Sequence, residues 1–213
     1  TQKARVTQSV YLIGNAATLQ NRPDFAEEIY RFVLEREPDH AMAGNNLAYH
    51  LIETGRDLAE AERLLEASYA TQPETSSILD SLGWLRYKQG QFSDIKDASG
   101  NVTKPGAISL LTRATEARDA FDNAVITDHL GDALWAAGER EKARDCWQRA
   151  RASAKKVVDE ISARQAARAQ GEDPETYKAQ ITEFRAVLNG TEQKLKAVET
   201  GQEPPVAPRA PRP

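Results

Sequence analysis

The chain has a single cysteine, Cys146, so an internal disulfide is excluded. Its three histidines, His40, His50 and His129, are scattered, and none has a second His or Cys at metal-ligand spacing. No glycine-rich phosphate loop appears, and no nucleophile sits beside a base in a recognisable constellation. No apolar run approaches the roughly 18 residues needed to cross a bilayer. Zinc, nucleotide, acyl-transfer and membrane-inserted readings therefore fail, and neither a cofactor nor catalysis is expected. Cys146, next to Trp147, reads as a buried, inert thiol.

Charge is also short of one sign. The formal net charge is -4, and Asp39 to Gly100 carries ten acidic against five basic residues. Such a surface repels a phosphate backbone, so nucleic-acid binding is not expected. What is abundant is Ala, Leu, Glu, Arg and Gln, residues that lose little rotamer freedom in a helix. The chain opens on Thr1 with no basic-then-apolar leader, which reads as a fragment of a longer protein or a processed form. Compartment and oligomeric state are not legible.

An internal repeat organises the first two thirds. Gly14, Ala48 and Gly83 follow Ile13, Leu47 and Leu82 at spacings of 34 and 35 residues. Ala26 and Ala61 recur twelve or thirteen places later, and Pro38 and Pro73 close the units. Leu130-Gly131, Gly138, Ala143, Trp147 and Ala150 repeat the offsets once more. Two antiparallel helices need a small residue where their backbones approach most closely. Gly83 and Gly131 are expected to face Ala107 and Ala143, with Tyr30, Leu65, Leu111 and Trp147 filling the space beyond. Gly55, Gly90 and Gly138 supply turns inside the pairs. Asp39 and Glu74-Thr75 are read as caps.

These residues resemble the tetratricopeptide-repeat family, over about residues 7–151. Arg86 departs from the family pattern, standing where an aromatic is usual, and the third and fourth units lack the closing proline. The stretches NNLAYHLIETG, ILDSLGWLRYKQG and DHLGDALWAAGEREKA look like bacterial members, including envelope-associated and polysaccharide-export ones. The resemblance implies an all-α fold: a right-handed superhelical solenoid of helix-turn-helix pairs closed by C-terminal helices.

The expected units are 7–40, 41–75, 76–123 and 124–151, with helix pairs at 7–20/23–36, 40–54/57–71, 75–89/105–117 and 120–137/139 onward. The third unit carries an insertion at about 93–104, centred on Asp97-Ala98-Ser99-Gly100-Asn101 and read as an exposed loop with helix resuming at Pro105. It is either an arm toward a partner or a tolerated surface insertion. Residues 152–199 read as a helical extension that runs to about Gln170 and restarts behind Asp173-Pro174. Tyr177, Ile181, Phe184 and Leu188 form its apolar stripe, and Asn189-Gly190 ends or kinks it. This extension either caps the array or projects as a dimerising hairpin. The final 200–213, which holds half of the prolines, reads as an extended, disordered tail.

The family resemblance also places the inward-facing row. Its candidates for partner binding are Tyr11 and Asn15; Asn45, Tyr49 and Ile52; Asp80, Trp84 and Tyr87; and Asp128, Asp132 and Trp135. Aromatics with a polar handle anchor interfaces, and the carboxylates attract cations. The implied partner is a protein or peptide with Lys or Arg beside an apolar residue. Alternatively, Trp84, Tyr87 and Trp135 pack between repeats. Some relatives clamp a C-terminal carboxylate with basic residues and asparagines. Asn15 and Asn46 match that clamp, but Tyr11, Ser77 and Ser81 stand at its basic positions, so capture of an acidic tail is not expected. A second reading makes the chain an accessory module of a larger envelope-assembly, export or enzyme protein.

Overall fold

The structure is a computed structural model that describes residues 2–120, 123–167 and 175–209, with side chains over 5–120, 123–164 and 181–209. The described residues include nine helices: α1 (Gln2–Leu19), α2 (Pro23–Arg36), α3 (Ala41–Thr54), α4 (Leu58–Thr71), α5 (Ser76–Lys88), α6 (Ala107–Glu116), α7 (Ala124–Ala136), α8 (Arg140–Ala167) and α9 (Glu175–Glu199). They pack as the pairs α1/α2, α3/α4, α5/α6 and α7/α8, with each second helix also touching the first helix of the next pair. Helix α9 lies along α8 and touches α7. The fold is an all-α solenoid.

One register of apolar residues builds the stack. The second helices bury Ala26, Tyr30 and Val33 in α2, and Ala61, Leu65 and Ser68 in α4. The same steps of four and three bury Ala107, Leu111 and Ala114 in α6, and Ala143, Trp147 and Ala150 in α8. This is one face of a helix repeated in each layer.

The small residues on the first helices face the large side chains of their partners more directly than the alanines. A Cβ on Gly14 would lie 2.7 Å from the Tyr30 ring, one on Gly83 2.7 Å from Leu111, and one on Gly131 2.4 Å from Trp147. Leu111 and Trp147, expected to fill the space beyond the facing alanines, thus lie directly against Gly83 and Gly131. The glycines make room for Leu111 and Trp147, while both alanines are fully buried in the same core. The turns inside the second, third and fourth pairs have Gly55, Gly90 and Gly138 in the left-handed region, at φ 65°, 73° and 89°.

Several local expectations are revised. Helix α1 already includes Gln2–Val6. His40, not Asp39, caps α3, its ring nitrogen accepting from the Ala43 amide at 3.2 Å. The first turn of α5 is held not by Thr75 but from the far end of the same unit, where Asp119 accepts the Ser76 amide at 3.1 Å. Asn189-Gly190 neither ends nor interrupts α9, which runs as one helix to Glu199. Asp173-Pro174 and the side chain of Tyr177 lie outside the described residues.

The insertion at 93–104 is not a plain loop. It forms an antiparallel hairpin, β1 (Ile95–Lys96) with β2 (Val102–Lys104), whose turn is organised by Asp97 accepting the Ser99 and Asn101 amides. Helix α6 resumes at Ala107, not Pro105. Lys104 ties the hairpin to Glu62 of α4 at 2.7 Å, and Arg86, buried where the family has an aromatic, reaches Glu62 at 2.6 Å and Glu66 at 3.0 Å. Partial burial by itself would raise the Glu62 carboxyl. Hydrogen bonds from Lys104, Gln89 and Arg86 outweigh it and hold the group at about 2.

Candidate functional site

The first helices of the pairs share one side of the array, and α9 forms the wall across from them. Between these surfaces is an open cavity of about 660 Å³ lined by residues of α1, α2, α3, α5, α7 and α9. Five of the residues read from sequence meet here: Tyr11, Asn15, Asn45, Tyr49 and Asp80. Ile52 does not line it and is buried in the core.

The floor is a hydrogen-bonded polar network from three helices. Tyr30 donates to Asn15 at 3.0 Å, and Asn46 donates to the same oxygen at 3.0 Å. Asn45 in turn donates to Asn46 at 3.2 Å. These bonds fix Asn45, which is 4% exposed, yet its Oδ1 has no hydrogen-bond partner. A buried acceptor without a donor costs about 1–3 kcal/mol, a cost a ligand donor would recover.

The cavity is electronegative. Glu27, Glu53, Asp80 and Glu183 line it, and among the described residues no Lys or Arg does. Glu27 is compensated by Arg31 at 3.0 Å and by Arg56. Glu53 accepts the neutral Trp84 indole N–H at 2.8 Å. Asp80 is 2.8 Å from the buried ring of His129. Burial opposes charge on that imidazole, but Asp80, with Asp128 and Asp132 farther off, raises its pKa above the ordinary 6.5. Glu183 is raised by burial, to which Asp80 adds and which His129 opposes. Tyr49 is raised by burial and then by Glu53, Asp80 and Glu183, so three helices project one negative field onto its hydroxyl.

The other half of the row is filled. Trp84 stacks with Tyr87, at 4.8 Å and 6°, and with His129, at 3.9 Å and 16°. Lys194 of α9 enters beside α7, 2.7 Å from Asp128 and 2.6 Å from Asp132. Burial would lower that lysine, but the two carboxylates raise it overall. Asp132, 1% exposed, also accepts the Trp147 indole N–H at 3.1 Å and the Ala207 amide at 3.0 Å. One carboxylate thus joins α7, α8, α9 and the C-terminal segment. Asp128 is raised by burial and by Asp132, against the pull of Lys194. Trp135 donates to Glu203 at 2.7 Å.

The segment 201–209, read as part of a disordered tail, is therefore extended but held on the array, because backbone groups of Ala207 and Pro208 find side-chain partners there. Residues 210–213 lie outside the described residues. Cys146 is buried, and burial pushes its thiol up, consistent with a packing role. Among the described residues, no group of three or more His, Cys, Asp or Glu could hold a metal. None of the described helices is long and apolar enough to cross a membrane.

Sequence reasoning did not identify Glu53, Glu183 and Phe184 as lining residues, and it reached Asn46 only as a clamp counterpart. Glu53 lies one step from Ile52 and was recoverable from a wider helical face. Glu183 and Phe184 depend on how α9 folds back, for which no repeat register exists.

Repeated helix pairs, with glycines seating Tyr30, Leu111 and Trp147 and stacked into a solenoid, are similar in fold to tetratricopeptide-repeat proteins. No family model matches the chain. A curated relative, a TPR repeat-containing protein of Pseudomonas aeruginosa, is 42% identical over 77 residues, which are 35% of this chain and 13% of the relative. The chain thus spans a small part of that relative's length. Among solved structures, Pseudomonas aeruginosa PilF superposes with a TM-score of 0.55 at 14% identity, covering 95% of this chain and 96% of that one. A thermophilic TPR protein of Thermus thermophilus gives 0.53 at 18%, covering 86% and 99%. An O-GlcNAc transferase of Thermobaculum terrenum gives 0.52 at 23% identity, covering 63% of this chain and 23% of that one. At these identities the likeness is one of fold.

Proposed function

We propose that the chain is a non-catalytic protein-interaction scaffold, and that its open half-groove captures a partner segment bearing Lys or Arg beside an apolar residue. The observation that carries this reading is the buried, unpartnered Asn45 oxygen in a cavity where Glu53, Asp80 and Glu183 face no Lys or Arg among the described residues. A guanidinium supplies several donors and a charge at once. Val125, Ile126 and Phe184 give the apolar neighbour a surface.

Calorimetric titration with a blocked peptide pairing Leu with Arg tests this. Binding near micromolar, about -8 kcal/mol, is expected. Replacing Arg by norleucine, or the protein's Glu53 and Glu183 by Gln, weakens it at least tenfold. Equal affinity for the Arg and norleucine peptides would reject the cation subsite.

A second reading, an accessory module within a larger helical assembly, is favoured by the first layer. Ile13 is 50% exposed, whereas its register counterparts Leu47, Leu82 and Leu130, each with a helix pair before it, are buried. Val6, one heptad earlier on the same face, is exposed too. Such a face fits another helical layer. A protein with a preceding helix fused to this face should gain stability. An unchanged midpoint would count against stacking.

A further inference from the structure

We propose that residues Glu203–Arg209 are a tethered occupant of a second peptide site, and that this site takes from another protein an extended segment of the same chemistry. That chemistry is two small apolar residues followed by Pro and Arg.

The segment is held as a bound peptide is held. Both backbone groups of Ala207 are engaged: its amide donates to Asp132 at 3.0 Å, and its carbonyl accepts the Tyr87 hydroxyl at 2.5 Å. The next carbonyl, of Pro208, accepts from Lys88 at 3.1 Å. Val206 and Ala207 pack on the hydrophobic core, and Pro204 is buried. Arg209 lies 5.8 Å from the centre of the Phe92 ring. Reading through main-chain groups asks little of sequence. Close packing at Val206 and Ala207 limits size, and proline holds the chain extended.

The tether explains why such weak contacts are closed in the free chain. The segment follows α9 with only a few residues between, so its effective concentration is on the order of millimolar. A free peptide of equal intrinsic affinity competes poorly. A partner already anchored elsewhere on the groove does not suffer that handicap, and would displace the tail. In the first half, Glu53 bonds to Trp84 and Asp80 to His129, and the cavity they line with Glu183 includes no residue of this segment. Peptide capture in the first half can therefore fail without affecting this site, and the reverse also holds.

The test uses the full chain and a fluorescein-labelled peptide of the sequence GQEPPVAPR, followed by anisotropy. Val206→Asp with Ala207→Pro weakens the tail, because the proline has no amide to give Asp132. This double variant should bind the peptide at least tenfold more tightly than the unaltered chain. Adding Tyr87→Phe, or using a peptide with Pro at the Ala207 position, should lose at least tenfold of that gain. The proposal is overturned if the tail variant binds no better than the unaltered chain, or if those changes leave binding unmoved. A variant that loses its helical signal is replaced by hydrogen exchange on the unaltered chain. Millimolar peptide should then reduce protection of the Ala207 amide, and unchanged protection also overturns the proposal.

Discussion

The two halves of the groove use similar residues and end in opposite states. In the first half, Asp80 holds the His129 imidazole, Glu53 accepts the neutral Trp84 indole N–H, and with Glu183 they line an open cavity. In the second, Asp128 and Asp132 have Lys194 between them, and the C-terminal segment covers what remains. A carboxylate that has its cation within 3 Å is part of the architecture. One left without a cation, beside an orphaned acceptor, is available to a ligand. The difference lies in α9, which delivers a lysine to the second half and a glutamate to the first.

The largest expected effect breaks the filled half. Asp132→Ala leaves Lys194 with one carboxylate, strips the Trp147 indole of its acceptor and frees the Ala207 amide. Removing one member of a buried ion pair costs about 3–5 kcal/mol, to be measured by urea denaturation. A change below about 1 kcal/mol would mean that α9 is not held through this residue.

Next comes a matched pair of glycines, one in each half. In Gly131→Ala the added methyl collides with the indole of Trp147, and about 3 kcal/mol is expected from overpacking. In Gly14→Ala it meets the Tyr30 ring edge at a slightly longer 2.7 Å, in the open first layer, and should cost less. Equal thermal shifts would show that the first layer is as rigid as the fourth.

His129 links the halves and carries a pH signature. Its folded pKa is raised above 6.5, so its contribution is fully present below that value and lost as pH rises through the folded pKa. Unfolding free energy should therefore decline above neutrality from this group, and Asp80→Asn should flatten the slope. NMR titration of the imidazole checks the direction. The smallest effect belongs to the open half. Glu53→Gln with Glu183→Gln should shift stability by less than about 0.5 kcal/mol, or raise it slightly, because it relieves like-charge crowding. A loss above about 2 kcal/mol would make those residues structural.

The solenoid was legible because its determinants are local and repeated. Gly14, Gly83 and Gly131 mark where a ring or leucine must fit, and Gly55, Gly90 and Gly138 mark turns only glycine makes comfortably. Five of the eleven row residues meet at the cavity for the same reason. What the sequence did not disclose depends on single long-range contacts. Lys194 reaches Asp128 across 66 residues, and Asp119 holds the Ser76 amide across 43. The C-terminal segment is held mostly through main-chain atoms, which leave no residue pattern to read. The hairpin at 93–104 was hidden because Asp97–Asn101 has the composition of any loop, and its strands are only two and three residues long.

The central claim is that the cation-poor first half of the groove is the free binding surface. Chemical-shift mapping of a Leu-Arg peptide on the isotopically labelled chain tests it most directly. The account predicts that the Asn45 side-chain amide, Tyr49 and Ile126 move first while Ala207 stays still at low peptide. Movement confined to Tyr87, Asp132 and Ala207, or no saturable movement at millimolar peptide, would contradict it.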